Sequence, residues 1–264
     1  MSNYRQILPH IRLMPYIRYY WILEAVYEKS TPERVIPFGA MQLCFYRGHV
    51  TCGTDCLDAG SLLCGQTTAY SEVLTEGKIR IVAVMFQPFG AKAFFYVPMH
   101  LLAEQKVKAD DLDDPALKEL EQKIVETDDP AACVELLNRF FLNRLTPLQD
   151  YNHHRLDAVM KVIRECGGNI PVRSLAEAAC LSGKQFQRVF SGHVGLNPKE
   201  YIRTVRFQYA LSLLQSCPER QLTQLAYDCG YYDLAHLIDE FKTFSGYTPK
   251  EFLSVCLPYS DYFE

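Results

Sequence analysis

The last third of this chain repeats itself, and the repeat limits the fold more than any other feature. Ser182, Phe190, Gly195, Pro198, Lys199, Glu200 and Tyr201 are answered fifty-one positions later by Asp233, Phe241, Gly246, Pro249, Lys250, Glu251 and Phe252. Upstream, Leu175-Ala176 is echoed by Leu225-Ala226, with one extra residue in the second copy. Glycine and proline kept in register across that distance mean that one supersecondary unit is built twice.

Each landmark has a physical task. Ser182 and Asp233 are N-cap residues, whose side-chain oxygens accept from the orphan N–H groups of a helix start. Phe186, Val189 and Phe190 then recur at three- and four-residue spacing, as do Leu234, Leu237, Ile238 and Phe241, the apolar stripe of a half-buried helix. Gly195 and Gly246 suit a chain leaving that helix with positive φ. Pro198 and Pro249 fall where proline is tolerated, in the first turn of the next helix. A shorter helical stretch precedes each copy, Val172–Ala179 and Gln221–Asp228. Short helix, tight turn and second helix make a helix-turn-helix, so units are expected at 171–193 and 221–245. Between them, residues 198–214 contain no internal Gly or Pro and read as one connecting helix about 25 Å long. Such a strut would hold two reading helices about one duplex turn, ~34 Å, apart. On these grounds alone a plain bundle with duplicated halves also remains open.

Leu181–Phe190, Val194–Phe207, Cys229–Lys242 and Ser245–Phe252 resemble the DNA-binding signature of AraC/XylS regulators. The resemblance covers roughly residues 152–256. It implies an all-α domain of seven helices with two helix-turn-helix units, sequence-specific binding of operator DNA, and control of nearby promoters, with RNA polymerase as a partner there.

The candidate first reading helix exposes Lys184, Gln185, Gln187 and Arg188. The resemblance puts Lys184, Gln187 and Arg188 where the family meets bases and phosphates. The chemistry suits that role, since arginine can bind guanine and glutamine adenine through two hydrogen bonds each. Lys199, Arg203 and Arg206 extend the basic surface, so that residues 181–210 carry five cations against Glu200 alone. The second unit departs from this pattern, with a net charge of −5 over residues 219–264. Leu234, Ala235, Ile238 and Asp239 stand at its groove-facing positions, where apolar groups can meet a thymine methyl but make no bidentate base contact. His236, Lys242 and the helix N-termini are left to position that unit. The first unit is therefore expected to carry most of the specificity and of the salt-sensitive affinity.

Residues 1–146 read differently. Tyr19–Ala25, Met41–Tyr46, Ser61–Cys64 and Ile79–Phe86 are short alternating or apolar runs, the mark of an antiparallel barrel or sandwich. Helical stretches follow at Gly90–Tyr96, Pro115–Glu126 and Pro130–Leu145, and a linker is expected near Thr146–His154. The chain as a whole is thus expected to be α+β, a β-rich domain with accompanying helices ahead of an all-α one. The runs Leu13–Trp21 and Val84–Gly90 are similar to sensor regions of some AraC-like regulators, which implies effector binding, dimerisation, or both. Tyr16, Tyr19, Trp21, Phe45, Tyr46 and Phe86 are candidates to line an effector pocket, though strand aromatics also serve as ordinary core. The stripe Cys133, Leu136, Leu137, Phe140 and Phe141 suits packing on the sheet or on a second subunit.

Bulk properties narrow the remaining classes. Net charge is −4, so a DNA partner must be argued from local charge and motif. The longest apolar run, Ile81–Phe86, is far short of the ~20 residues that span a bilayer. The N-terminus lacks the pattern of a signal peptide. No membrane role and a cytoplasmic location are expected, with the cysteines as free thiols. Cys44, Cys52, Cys56 and Cys64, with His49 nearby, raise zinc and alkyl-transfer chemistry, because some DNA-methyl repair proteins join a four-cysteine module to an AraC-like domain. The second close pair is missing, so no metal, cofactor or catalytic residue is assigned and strand cysteines are the preferred reading. No Gly-x-Ser-x-Gly, P-loop or His-Glu-x-x-His occurs. Asp110, Asp111, Asp113 and Asp114 lack the glycine and terminal Glu of a calcium loop and read as a solvated turn capping a helix. The alternatives to an effector-controlled regulator are a repair/regulator fusion and an effector-free dimeric DNA-binding protein.

Overall fold

The computed structural model describes residues 3–53, 55–146 and 151–255. Its first half is one antiparallel sheet, built from β1 (Asn3–Ile7), β2 (Ile17–Val35), β3 (Gln42–Cys52), β4 (Asp55–Cys64), β5 (Ser71–Phe86) and β6 (Lys106–Lys108), in the order β1-β2-β5-β3-β4-β6. The four expected strands are the apolar centres of β2 to β5. Their polar ends also pair: Thr31–Val35 of β2 continues against Ser71–Thr75 of β5. Of those ends only Val73 and Thr75 are buried, so hydrophobic periodicity did not reveal them. β1, with its almost wholly exposed side chains, escaped for the same reason.

Strand alternation gives the sheet two apolar faces. Leu43 and Phe45 of β3, with Val82, Val84 and Phe86 of β5, lie in one core. Cys44 and Tyr46, with Ile79, Ile81 and Ala83, lie in another. The first face is covered by α1 (Pro115–Glu126) and α2 (Pro130–Arg144), through Leu117, Leu120, Ile124, Cys133, Leu137 and Phe141. The stripe of α2 therefore packs on its own sheet. Asp114 and Asp129 cap the two helices, and Asp114 also pairs with Arg144. The acidic cluster thus contains the helix cap expected of it. Where a helix was expected at Gly90–Tyr96, the chain makes only a 3-10 turn, Gly90–Ala93.

A buried guanidinium ties α1 to the sheet. Arg80 of β5 donates to the carbonyls of Ile124, Thr127 and Asp128, at 3.5, 2.6 and 3.3 Å, and pairs with Glu24 at 3.2 Å. A cation at the carbonyl end of a helix satisfies orphan acceptors and opposes the helix dipole.

The second half contains α3 (Tyr151–Glu165), α4 (Val172–Ala178), α5 (Gly183–Val194), α6 (Pro198–Ser216), α7 (Leu222–Asp228), α8 (Leu234–Ser245) and α9 (Pro249–Val255). These are the seven helices expected, in an α+β chain. Part of the expected linker, residues 147–150, lies outside the described residues, and its last four residues already belong to α3. α6 spans nineteen residues, about 28 Å, and belongs to two cores. Tyr201 and Ile202 near its start pack with α3, α4 and α5, whereas Phe207, Ala210, Leu211 and Leu214 pack with α7, α8 and α9. Ile36 and Phe89, from the sheet half, enter these helical cores.

Candidate nucleic-acid interface

The two helix-turn-helix units share one backbone design. The end of α4 is closed by the N–H of Leu181 bonding to the carbonyl of Ala176, and that of Cys180 to Glu177. The end of α7 is closed in the same way, Tyr231 to Ala226 and Gly230 to Tyr227. This closure needs a left-handed residue between the helices. Gly230 supplies it in the second unit at φ 72°, and Cys180 in the first at φ 52°. The second helices then start on capped turns. Ser182 and Gln185 form a reciprocal capping box on α5, and Asp233 accepts from the N–H of His236 on α8.

On α5, Phe186, Phe190 and Val194 are buried, while Lys184, Gln185, Gln187 and Arg188 are exposed in its first half. Gln185 gives its side-chain oxygen to the capping box, leaving its amide N–H groups for other partners. On α8, Ala235, His236, Asp239 and Lys242 are exposed and Leu234 and Ile238 half-buried. His236 uses Nδ1 to accept from the Tyr232 N–H at 3.4 Å.

The three cations ascribed to the connecting helix divide. Lys199 is exposed. Arg203 is half-buried and paired with Glu240 of α8 at 2.6 Å, over the ring of Phe244. Arg206 donates to the carbonyl of Gly168 at 3.2 Å and lies over Tyr231. Burial, with Glu240 near by, pushes the Tyr231 hydroxyl well up, so it stays neutral. Arg203 and Arg206 thus join α6 to the second unit and to the loop after α3.

Both α5 and α8 are anchored to the sheet half at their C-terminal ends. Gln66 donates to the carbonyl of Val194, the last residue of α5, at 2.7 Å. Arg34 donates to the carbonyl of Ser245, the last residue of α8, at 3.3 Å, pairs with Glu72 and stacks on Tyr70 and Tyr247. The glycines that follow have two tasks each. At Gly195 (φ 103°) a Cβ would be strained by the backbone and would crowd Met41 Cε at 3.0 Å and the Met99 carbonyl at 3.3 Å. A Cβ on Gly246 (φ 74°) would lie 2.6 Å from the Arg34 guanidinium. A third tie, from Gln208 of α6 to the carbonyl of Pro37, joins the connector to the same half. Sequence reasoning missed Arg34, Gln66 and Gln208, because no local pattern marks a polar residue whose partner lies more than a hundred positions away.

The six aromatic residues proposed for an effector pocket are not brought together. Phe45 and Phe86, with Tyr16 packed against them, belong to the helix-covered face. Tyr19, Trp21 and Tyr46 belong to the opposite face. Nor do the four cysteines converge: Cys44, Cys52 and Cys64 are buried beside Tyr46, and Cys56 is exposed. The hydrogen bond with the Cys64 thiol, and then burial, push the Cys44 thiol up.

A sheet-based half is thus tied to paired helix-turn-helix units on a shared strut. Residues 175–254 match the helix-turn-helix domain family, and residues 5–108 match a domain of unknown function (DUF6597). The XylDLEGF operon transcriptional activator of Pseudomonas putida is 30% identical over 90 residues, which are 33% of this chain and 28% of that protein. The transcriptional activator RhaS of Escherichia fergusonii is 30% identical over 78 residues, 30% of this chain and 28% of that protein. These alignments thus span under a third of either relative's length. ToxT from Vibrio cholerae shares the fold across 89% of this chain and 98% of its own, with a TM-score of 0.50 at 12% identity. Residues 175–254 thus carry a helix-turn-helix domain similar to those of these transcriptional activators.

Proposed function

We propose that this chain is a sequence-specific DNA-binding transcription regulator in which residues 152–256 grip operator DNA and residues 1–146 govern the grip. One observation carries the reading. Both reading helices are tethered to the sheet half by their carbonyl ends, while their N-terminal halves, with Lys184, Gln187 and Arg188 foremost, face solvent. Helix-turn-helix proteins meet base edges with that end of the second helix. The operon activators among its relatives support the same role.

Control follows from the tethers. A small-molecule effector, or a second copy of the chain, that binds residues 1–146 better in one arrangement of the tethers shifts the population toward it and changes operator occupancy. The partners in this reading are duplex DNA, RNA polymerase at the promoter, and an effector or a second subunit, in the cytoplasm and away from membranes. We assign no catalytic role.

The test is selection of bound sequences from random duplexes by the full chain, followed by titration of variants on the selected site. Arg188→Ala is expected to weaken binding by about 1–3 kcal/mol and, if it meets a phosphate, to lower the salt slope by about one. Asp239→Ala is expected to leave affinity level or to tighten it. Equal losses from both would sink the asymmetry between the units. Failure to enrich any sequence would sink the regulator reading itself.

A further inference from the structure

The β3–β4 hairpin sorts its side chains in a way the proposed DNA-binding role leaves unused. Val50 pairs with Leu57 and both point inward. The pleat therefore turns their neighbours His49, Cys56 and Asp58 to the opposite, solvent face. A bulge after Arg47 aims His49 there. It is built on Gly48 at φ 109°, where a Cβ would lie 2.2 Å from the Lys78 carbonyl.

One imidazole, one thiol and one carboxylate are thereby gathered on a rigid ladder, with ligand atoms all within 4.8 Å of one another. His49 Nδ1 lies 2.9 Å from Asp58 Oδ1, and Cys56 Sγ lies 3.6 Å from each ring nitrogen. A nitrogen and a sulfur bound tetrahedrally to zinc at ~2.0 and ~2.3 Å stand about 3.5 Å apart. The free side chains thus already sit near the separation that coordination requires. The donor set is also selective, because thiolate with imidazole favours zinc-like ions over magnesium or calcium.

We infer that His49, Cys56 and Asp58 form a surface site for a divalent cation of the zinc type. The fourth position is left to water or an outside ligand. The metal takes the place of the Cys56 thiol proton, which is released to solvent, and of the His49–Asp58 hydrogen bond. Cys52, paired with Cys56 by sequence spacing, has no part in it, being buried on the other face with Cys44 and Cys64.

The test uses the full chain after chelator treatment, titrated with zinc against a chromophoric competitor and, separately, with cobalt(II) as a spectroscopic stand-in. One equivalent should bind, more tightly as pH rises, and cobalt should give a thiolate charge-transfer band. Cys56→Ser and His49→Gln, at exposed positions that the fold does not need, should each weaken zinc by more than the 10–100-fold typical of outer-shell changes and abolish the cobalt band. Cys166→Ser, an exposed thiol elsewhere, should change neither. The inference is overturned if the wild-type chain binds no stoichiometric zinc, or if Cys56→Ser binds it as well as wild type.

Discussion

Cys180 holds a left-handed backbone that its counterpart Gly230 adopts without strain. A side chain in that conformation costs roughly 1 kcal/mol, and its Cβ brings no buried contact in return, since Cys180 is exposed. Cys180→Gly is therefore expected to stabilise the chain by about 0.5–1 kcal/mol, seen as a melting point a few degrees higher. An unchanged or lower melting point would contradict the comparison between the two turns. The caps Ser182 and Asp233 were legible from sequence because capping is local chemistry. The fates of Arg203 and Arg206 were not, since a solvated cation and one held by Glu240 or Gly168 look alike in a linear string.

Helices α1 and α2 were read to within a residue, because each opens on an Asp-Pro start and carries a periodic apolar stripe. What fastens α1 to the sheet was invisible. Arg80 sits immediately before the apolar run Ile81–Phe86, where sequence gives no reason to expect a charge at 4% exposure. Removing it leaves buried carbonyls at the end of α1 without donors and Glu24 without its cation. Glu24 is partly exposed, which tempers the loss. Arg80→Met is expected to cost about 2–4 kcal/mol in denaturant unfolding, with the transition midpoint lowered. A cost below 1 kcal/mol would mean that water replaces the guanidinium without penalty. Among connectors, α6 was expected as a strut, and its membership of two cores makes it one.

Across the whole molecule, the repeat made both helix-turn-helix units legible, while the way the halves meet was not. That contact is made by single residues, Gln66 and Arg34 among them, at the carbonyl ends of the reading helices. Arg34→Ala removes a hydrogen bond to Ser245 and stacking on two tyrosines, together about 1–2 kcal/mol. Amide exchange at Gly246 and Tyr247 should accelerate by roughly 5–30-fold, while β5 and β3 stay protected. Uniform acceleration would instead indicate global destabilisation, and no change would show that the second unit is held by α6 alone.

The two copies differ in character, one presenting Lys184 and Arg188 and the other Ala235, His236 and Asp239. A regulator formed from two identical subunits reads a palindrome and cannot distinguish left from right. In the proposed role, a single chain with a cationic probe at one end of a stiff rod and a weakly charged probe at the other meets no such ambiguity. Turning its binding site around would present each probe with the wrong half, so the protein would sit on a promoter like an arrow, and whatever it recruits would be delivered to one flank only.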